Sequence, residues 1–233
     1  MALDVYVGSL TRYYAGEWEN VSERAARERG ARAGPDRPAT TDEEVERTRL
    51  AMTAWRKALA RSLGDRVVAP LDWDESPEAP YFTGRPGWDG FGSLVLWAAY
   101  AEHPALRLPD ALPEEWDNDL ALVRSNAEGF RSRFSHLVRN VELWLPGGFE
   151  FTFEGGDVDG RRLVMGSSTM LRRQLGELNG ATWKATATAI SRWGQNLPPS
   201  DASLESCARY GFAVLSDLVE RAVAHRLPMK LDY

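Results

Sequence analysis

VELWLPGGFEFTFEGGDVDGRRLVMG, residues 141–166, decides the fold class. Apolar positions alternate along it, Pro146-Gly147-Gly148 interrupts it, and Asp159-Gly160 offers a tight turn, so it predicts two or three strands in hairpin order. On either side the pattern is mostly helical. Thr41 and Glu44 have capping-box spacing, and Asp42, Glu43 and Glu44 set negative charge against the positive end of a helix dipole. Val45, Met52, Trp55, Leu59 and Leu63 then share one face until Gly64 ends the helix. Residues 88–102 are apolar nearly all round, which predicts a central helix closed by His103-Pro104. One or two helices are expected over 117–139, broken near Gly129, and further helices over 168–179, 182–195 and 202–226.

Towards the amino terminus, Leu3, Val5 and Val7 alternate with Asp4 and Tyr6, predicting a strand over residues 3–10. Residues 16–30 are expected to be helical, 33–40 a Gly- and Pro-rich loop, and LPMKLDY at 227–233 an edge strand or tail. Together these elements predict a helix-dominated α+β fold with a small, mostly antiparallel sheet. The 233 residues suit one domain, 1–233, with residue 140 dividing a mainly helical first part from a hairpin-plus-helices second part.

Composition narrows the function classes. The net charge of -6 argues against sequence-independent nucleic-acid binding, which needs a cationic surface to displace phosphate counterions. Arginines such as Arg124, Arg131, Arg133 and Arg139 are balanced by 34 acidic residues on a solvated surface. The single cysteine, Cys207, leaves no intrachain disulfide and no Cys-rich zinc site, and its place in an apolar helix face assigns it to packing. MALDVYVGSL lacks a basic region followed by a long apolar run, and no stretch approaches the roughly 20 apolar residues of a membrane span. A cytoplasmic protein without a membrane partner is the expectation.

Familiar reaction centres are missing from the pattern. Neither a phosphate loop nor a G-x-S-x-G elbow occurs, and His103, His136 and His225 are too widely spaced for H-E-x-x-H. No cofactor or metal ligand set is predicted. What stands out instead is APLDWDESPEAPYFTGRPGWDG, residues 69–90, where five carboxylates, two tryptophans and four prolines leave little room for regular structure. Asp72-Trp73-Asp74 is formally a D-x-D, and paired carboxylates beside aromatic platforms could also serve a glycosidase-like reaction. A carboxylate-dependent enzyme acting on a carbohydrate or nucleotide-sugar is therefore the alternative reading. The favoured one is a rigid partner surface: Trp73, Tyr81 and Trp88 held outward as apolar anchors, rimmed by Asp72, Asp74, Glu75 and Asp89. Trp116 and Asp117 repeat the Trp-Asp pair further along.

LDWDESPEAPYFTGRPGWDG and EEWDND, in an acidic α+β chain with one cysteine and many aromatics, resemble in type the cytosolic immunity proteins that bacteria keep beside polymorphic toxins. That resemblance carries no defining motif and transfers no site residues. It implies a non-enzymatic, antitoxin-like inhibitor that blocks a basic toxin with the acidic aromatic surface.

Overall fold

A computed structural model describes residues 2–30, 40–67 and 70–233. Of the loop expected over 33–40, all but Thr40 lies outside the described residues. Strand β1 (Asp4–Val7) is followed by helices α1 (Leu10–Ala15), α2 (Val21–Glu28) and α3 (Asp42–Leu63). Strand β2 (Phe82–Gly84) leads into α4 (Gly87–Glu102), α5 (Leu120–Ser125) and α6 (Ser135–Val138). Strands β3 (Val141–Leu145), β4 (Phe153–Gly156) and β5 (Arg162–Ser167) precede α7 (Ser168–Ala181), α8 (Ala187–Gln195), α9 (Leu204–His225) and β6 (Met229–Asp232).

The helix boundaries follow capping chemistry. Thr41 accepts the Glu44 amide while Glu44 takes the Thr41 amide, the reciprocal box expected for α3. The strand predicted over 3–10 stops at Val7, because the Ser9 hydroxyl accepts the Arg12 amide and starts α1 instead. Gly16, at φ 72°, ends that helix in the left-handed region, and α2 starts from its own capping box at Asn20.

The sheet runs β2-β1-β6-β3-β5-β4 and is mixed, within an α+β single-domain fold. Four of its pairings are antiparallel, and β3 with β5 is parallel. Two expectations are corrected here. Residues 141–166 do not form a simple meander: Pro146-Gly147-Gly148 turns the chain away from β3, so β5 inserts between β3 and β4. The last strand is not at an edge, since β6 lies between β1 and β3 with Val5 opposite Leu231 and Leu143 opposite Lys230.

Each face of the sheet has its own core. Leu3, Val5, Val7, Trp144, Met229 and Leu231 pack with α4, α7 and α9 on one side. Leu143, Leu145, Leu163 and Met165 meet α1, α3 and the 71–73 segment on the other. A register shift between Val141 and Leu143 turns these two residues to opposite faces, where a regular strand would keep them on one. Helices α4 and α9 meet backbone to backbone, since a Cβ on Gly211 would overlap the Gly90 carbonyl. Each fully buried leucine contributes about 2 kcal/mol to these cores.

Candidate functional site

The acidic segment runs the length of β1 and divides into two sites. Residues 70–81 sit at the Val7 end, since Phe82 pairs with Val7. The chain then follows β2 to Gly84 opposite Val5, and the Gly87 amide bonds to the Leu3 carbonyl at the other end.

At the first end the loop is braced by charged side chains in place of a backbone ladder. Trp73 is turned inward, 5% exposed, with its ring edge-on to Trp55 of α3 and its indole N–H donated to Glu75. The Glu75 carboxylate accepts the Leu10 amide at 3.2 Å and the Thr11 amide at 2.7 Å, which ties the loop to the first turn of α1. Arg56 of α3 donates to the Trp73 carbonyl at 2.7 Å and pairs with Asp72 at 3.0 Å. Arg12 donates to the Pro77 and Ala79 carbonyls and lies 5.1 Å from the Tyr81 ring centroid. Tyr81 is half-buried and stacks on Tyr6. Asp74 accepts the Ser76 amide at 2.8 Å, an Asx turn that fixes the tip. Asp72, Asp74 and Glu78 remain exposed.

The expectation that the aromatic rings face outward is thus corrected for Trp73, whose ring fills the α3-side core while the carboxylates beside it face solvent. Glu75 is likewise an internal tie. Sequence reasoning missed Arg12 and Arg56 as the clamps, because nothing in their local pattern shows which carbonyls they reach.

At the second end, Trp88 and Asp89 open α4, whose N-cap residue, Pro86, has no side chain to bond the first amides. Trp88 packs edge-on against Tyr233, ring centroids 5.2 Å apart. A pocket of about 300 Å³ adjoins them, walled by Tyr210, Cys207, Pro198 and Pro199. Asp89 is exposed and makes no hydrogen bond or ion pair among the described residues. Burial, and then the Asp89 charge, push the Cys207 thiol up from its ordinary value, which makes it a poor nucleophile. Trp116 packs against Gly92, one turn along α4 from Trp88, and Asp117 beside it is exposed. The second pair therefore opens α4 and the third, in a separate turn over Trp116–Asn118, packs against that helix, while the first lies at the far end of β1.

A third polar cluster escaped the sequence reading. The Tyr13 hydroxyl donates to Asp232 and the Tyr14 hydroxyl to Asp157, each at 2.8 Å, while Arg161 and Tyr233 both bond Glu142 at 2.7 Å. Among them lies Lys230, 3% exposed, its ammonium 5.2 Å from the Tyr13 ring centroid and without an ion pair among the described residues. Burial pushes Lys230 down from the usual lysine range against the opposing pull of Asp157 and Glu142, and burial followed by the carboxylate bonds pushes both tyrosines up. Because Tyr or Arg donors already occupy the carboxylates, the cluster fastens α1 to the sheet. The one sequence signal was Lys230 itself, a rare lysine alternating with Met229 and Leu231.

Among the described residues no group of three or more His, Cys, Asp or Glu side chains is arranged to hold a metal ion. No helix there is long and apolar enough to cross a membrane. Set against known proteins, the chain matches no family model, no curated protein and no solved structure.

Proposed function

We propose that this chain is a non-enzymatic protein-binding protein, an immunity- or antitoxin-like inhibitor that presents the carboxylates of Asp72, Asp74 and Glu78 to a cationic partner. The bracing of the loop is the observation that carries this reading. Three charged side chains, Arg12, Arg56 and Glu75, hold a stretch without regular structure, and the backbone that carries the outer carboxylates is consequently ordered before any partner arrives. Ordering a loop on binding costs about 0.5–1.5 kcal/mol per immobilised side chain, so a pre-ordered loop binds with that cost already met. The net charge of -6 would steer a basic protein towards it and speed encounter.

The alternative D-x-D reading finds less support. Asp72 is turned to Arg56 and Asp74 to the Ser76 amide, so the two carboxylates are engaged separately.

The test is charge reversal at this end alone. The full chain and an Asp72→Arg/Asp74→Arg variant, matched for thermal stability, are used to capture partners from the native cytosol, and the captured protein is titrated after purification. The expected result is a basic protein held by the native chain and bound at least about 100-fold more weakly by the variant, on the scale of two lost charge contacts. Equal binding by the two would overturn the proposal.

A further inference from the structure

The pocket at the amino end of α4 has a composition that the acidic loop lacks. Its walls include two aromatic residues, each fixed by a contact outside the cavity: the Tyr210 hydroxyl donates to the Arg85 carbonyl at 3.0 Å, and Trp88 packs edge-on against Tyr233. A carboxylate, Asp89, stands in the lining with no cation paired to it among the described residues, while nearby Arg85 is already committed to Asp4 at 2.7 Å. Indole is the ring that best attracts a cation over its face, tyrosine follows, and a carboxylate completes the neutralisation. The positive end of α4 opposes a cation, and Asp89 in its first turn offsets it.

Size and rim point to the source of that cation. At about 300 Å³ the cavity lies at the lower limit of ligand pockets, with room for one side chain. On its lining Leu197 is 75% exposed, the most exposed of the large apolar residues among those described, next to Pro198 and Pro199. An apolar rim around a charged centre suits a partner whose alkyl stem and neighbouring residues lie on the protein surface.

We propose that this pocket receives a single arginine or lysine side chain of a protein partner, seated between Trp88 and Tyr210 with its charge against Asp89. The site lies at the opposite end of β1 from the acidic loop, so it stands independently of the function proposed for that loop.

The test reads the Trp88 indole N–H by two-dimensional NMR on the full chain, its resonance assigned with Trp88→Phe, at constant ionic strength. The probe is the blocked tripeptide acetyl-Gly-Arg-Gly-amide, with the citrulline peptide as its neutral isostere, and with free L-arginine and inorganic phosphate as further probes. A saturable Trp88 shift is expected with the arginine peptide at millimolar concentration, at least tenfold weaker with citrulline and about tenfold weaker in Asp89→Asn. Because Asp89 is exposed and unpaired among the described residues, that variant should stay folded, its melting temperature lowered only slightly by the charge lost at the helix end. The absence of a saturable shift, equal binding of the citrulline peptide, or a response to phosphate in place of arginine would overturn the proposal. A free L-arginine affinity tenfold above that of the peptide would overturn it too, since the ligand would then be a small molecule.

Discussion

Tyr14 and Asp157 stand 143 residues apart in the chain, yet the tyrosine hydroxyl and the carboxylate oxygen are 2.8 Å apart, and that bond pins α1 to the β4–β5 turn. Asp157 also accepts the Asp159 and Arg161 amides, so one carboxylate shapes the turn and anchors the helix.

Alkaline pH should expose this dependence. Tyr13 and Tyr14 have folded-state pKa values above the ordinary 10, so the folded state keeps protons that the unfolded chain releases, and stability falls as pH rises past 10. Lys230 has the opposite sign, its stability term growing as pH climbs towards 10.5. Urea unfolding between pH 8 and 11 should therefore show a steep loss above 10. In Tyr14→Phe it should start about 1 kcal/mol lower and fall less steeply. An equally steep loss in the variant would place the alkaline limit elsewhere.

Acid pH should act through His136, which is fully buried and is pushed by burial down to about 4 against the opposing pull of a backbone hydrogen bond to Phe151. The folded state resists a proton that the unfolded chain takes up near 6.5. Stability present above 6.5 is then lost as pH falls towards 4, by up to about 3 kcal/mol. Replacement by asparagine would lower stability overall and flatten the slope between pH 6.5 and 4, the quantity to measure.

The contact between α4 and α9 leaves no room for a methyl group at Gly211, so Gly211→Ala should cost about 3 kcal/mol by forcing the helices apart. Gly176 in α7 has open space around its added Cβ, and alanine there should stabilise the chain by up to about 1 kcal/mol through helix propensity. Chemical denaturation of the pair gives opposite signs if the packing is as described.

Glu75→Ala should cost about 2–3 kcal/mol, having removed a carboxylate that holds two backbone amides and an indole. Amide exchange over residues 72–80 should quicken more than exchange in α9. Unchanged loop protection would show that Glu75 does not order the loop.

Much of the architecture was legible where local chemistry decides it. Thr41, Glu44 and Gly64 bound α3 as their cap signals imply, and the all-round apolar run at 88–102 became the central α4. Position within the sheet was not legible. Lys230 and Asp232 alternate with Met229 and Leu231 as an edge strand would, and their polar side is covered because α1 brings Tyr13 to meet it. The acidic segment was recognisable as a braced loop, but its indoles give no local sign of direction. Trp73 points inward because Trp55 and Arg56, from α3, make the site that receives it.

Among the described residues, strand β6 is the bridge in the sheet between β2-β1 and β3-β5-β4. A nascent chain that has not yet produced residues 229–232 therefore carries two half-built sheets, each with a bare edge where β6 belongs. Joining them waits for residues 229–232 and closes a loop of more than two hundred residues, which makes this a slow, high-contact-order event. During that interval the unfilled slot is the place where chaperone capture, or mispairing with another copy, competes with maturation.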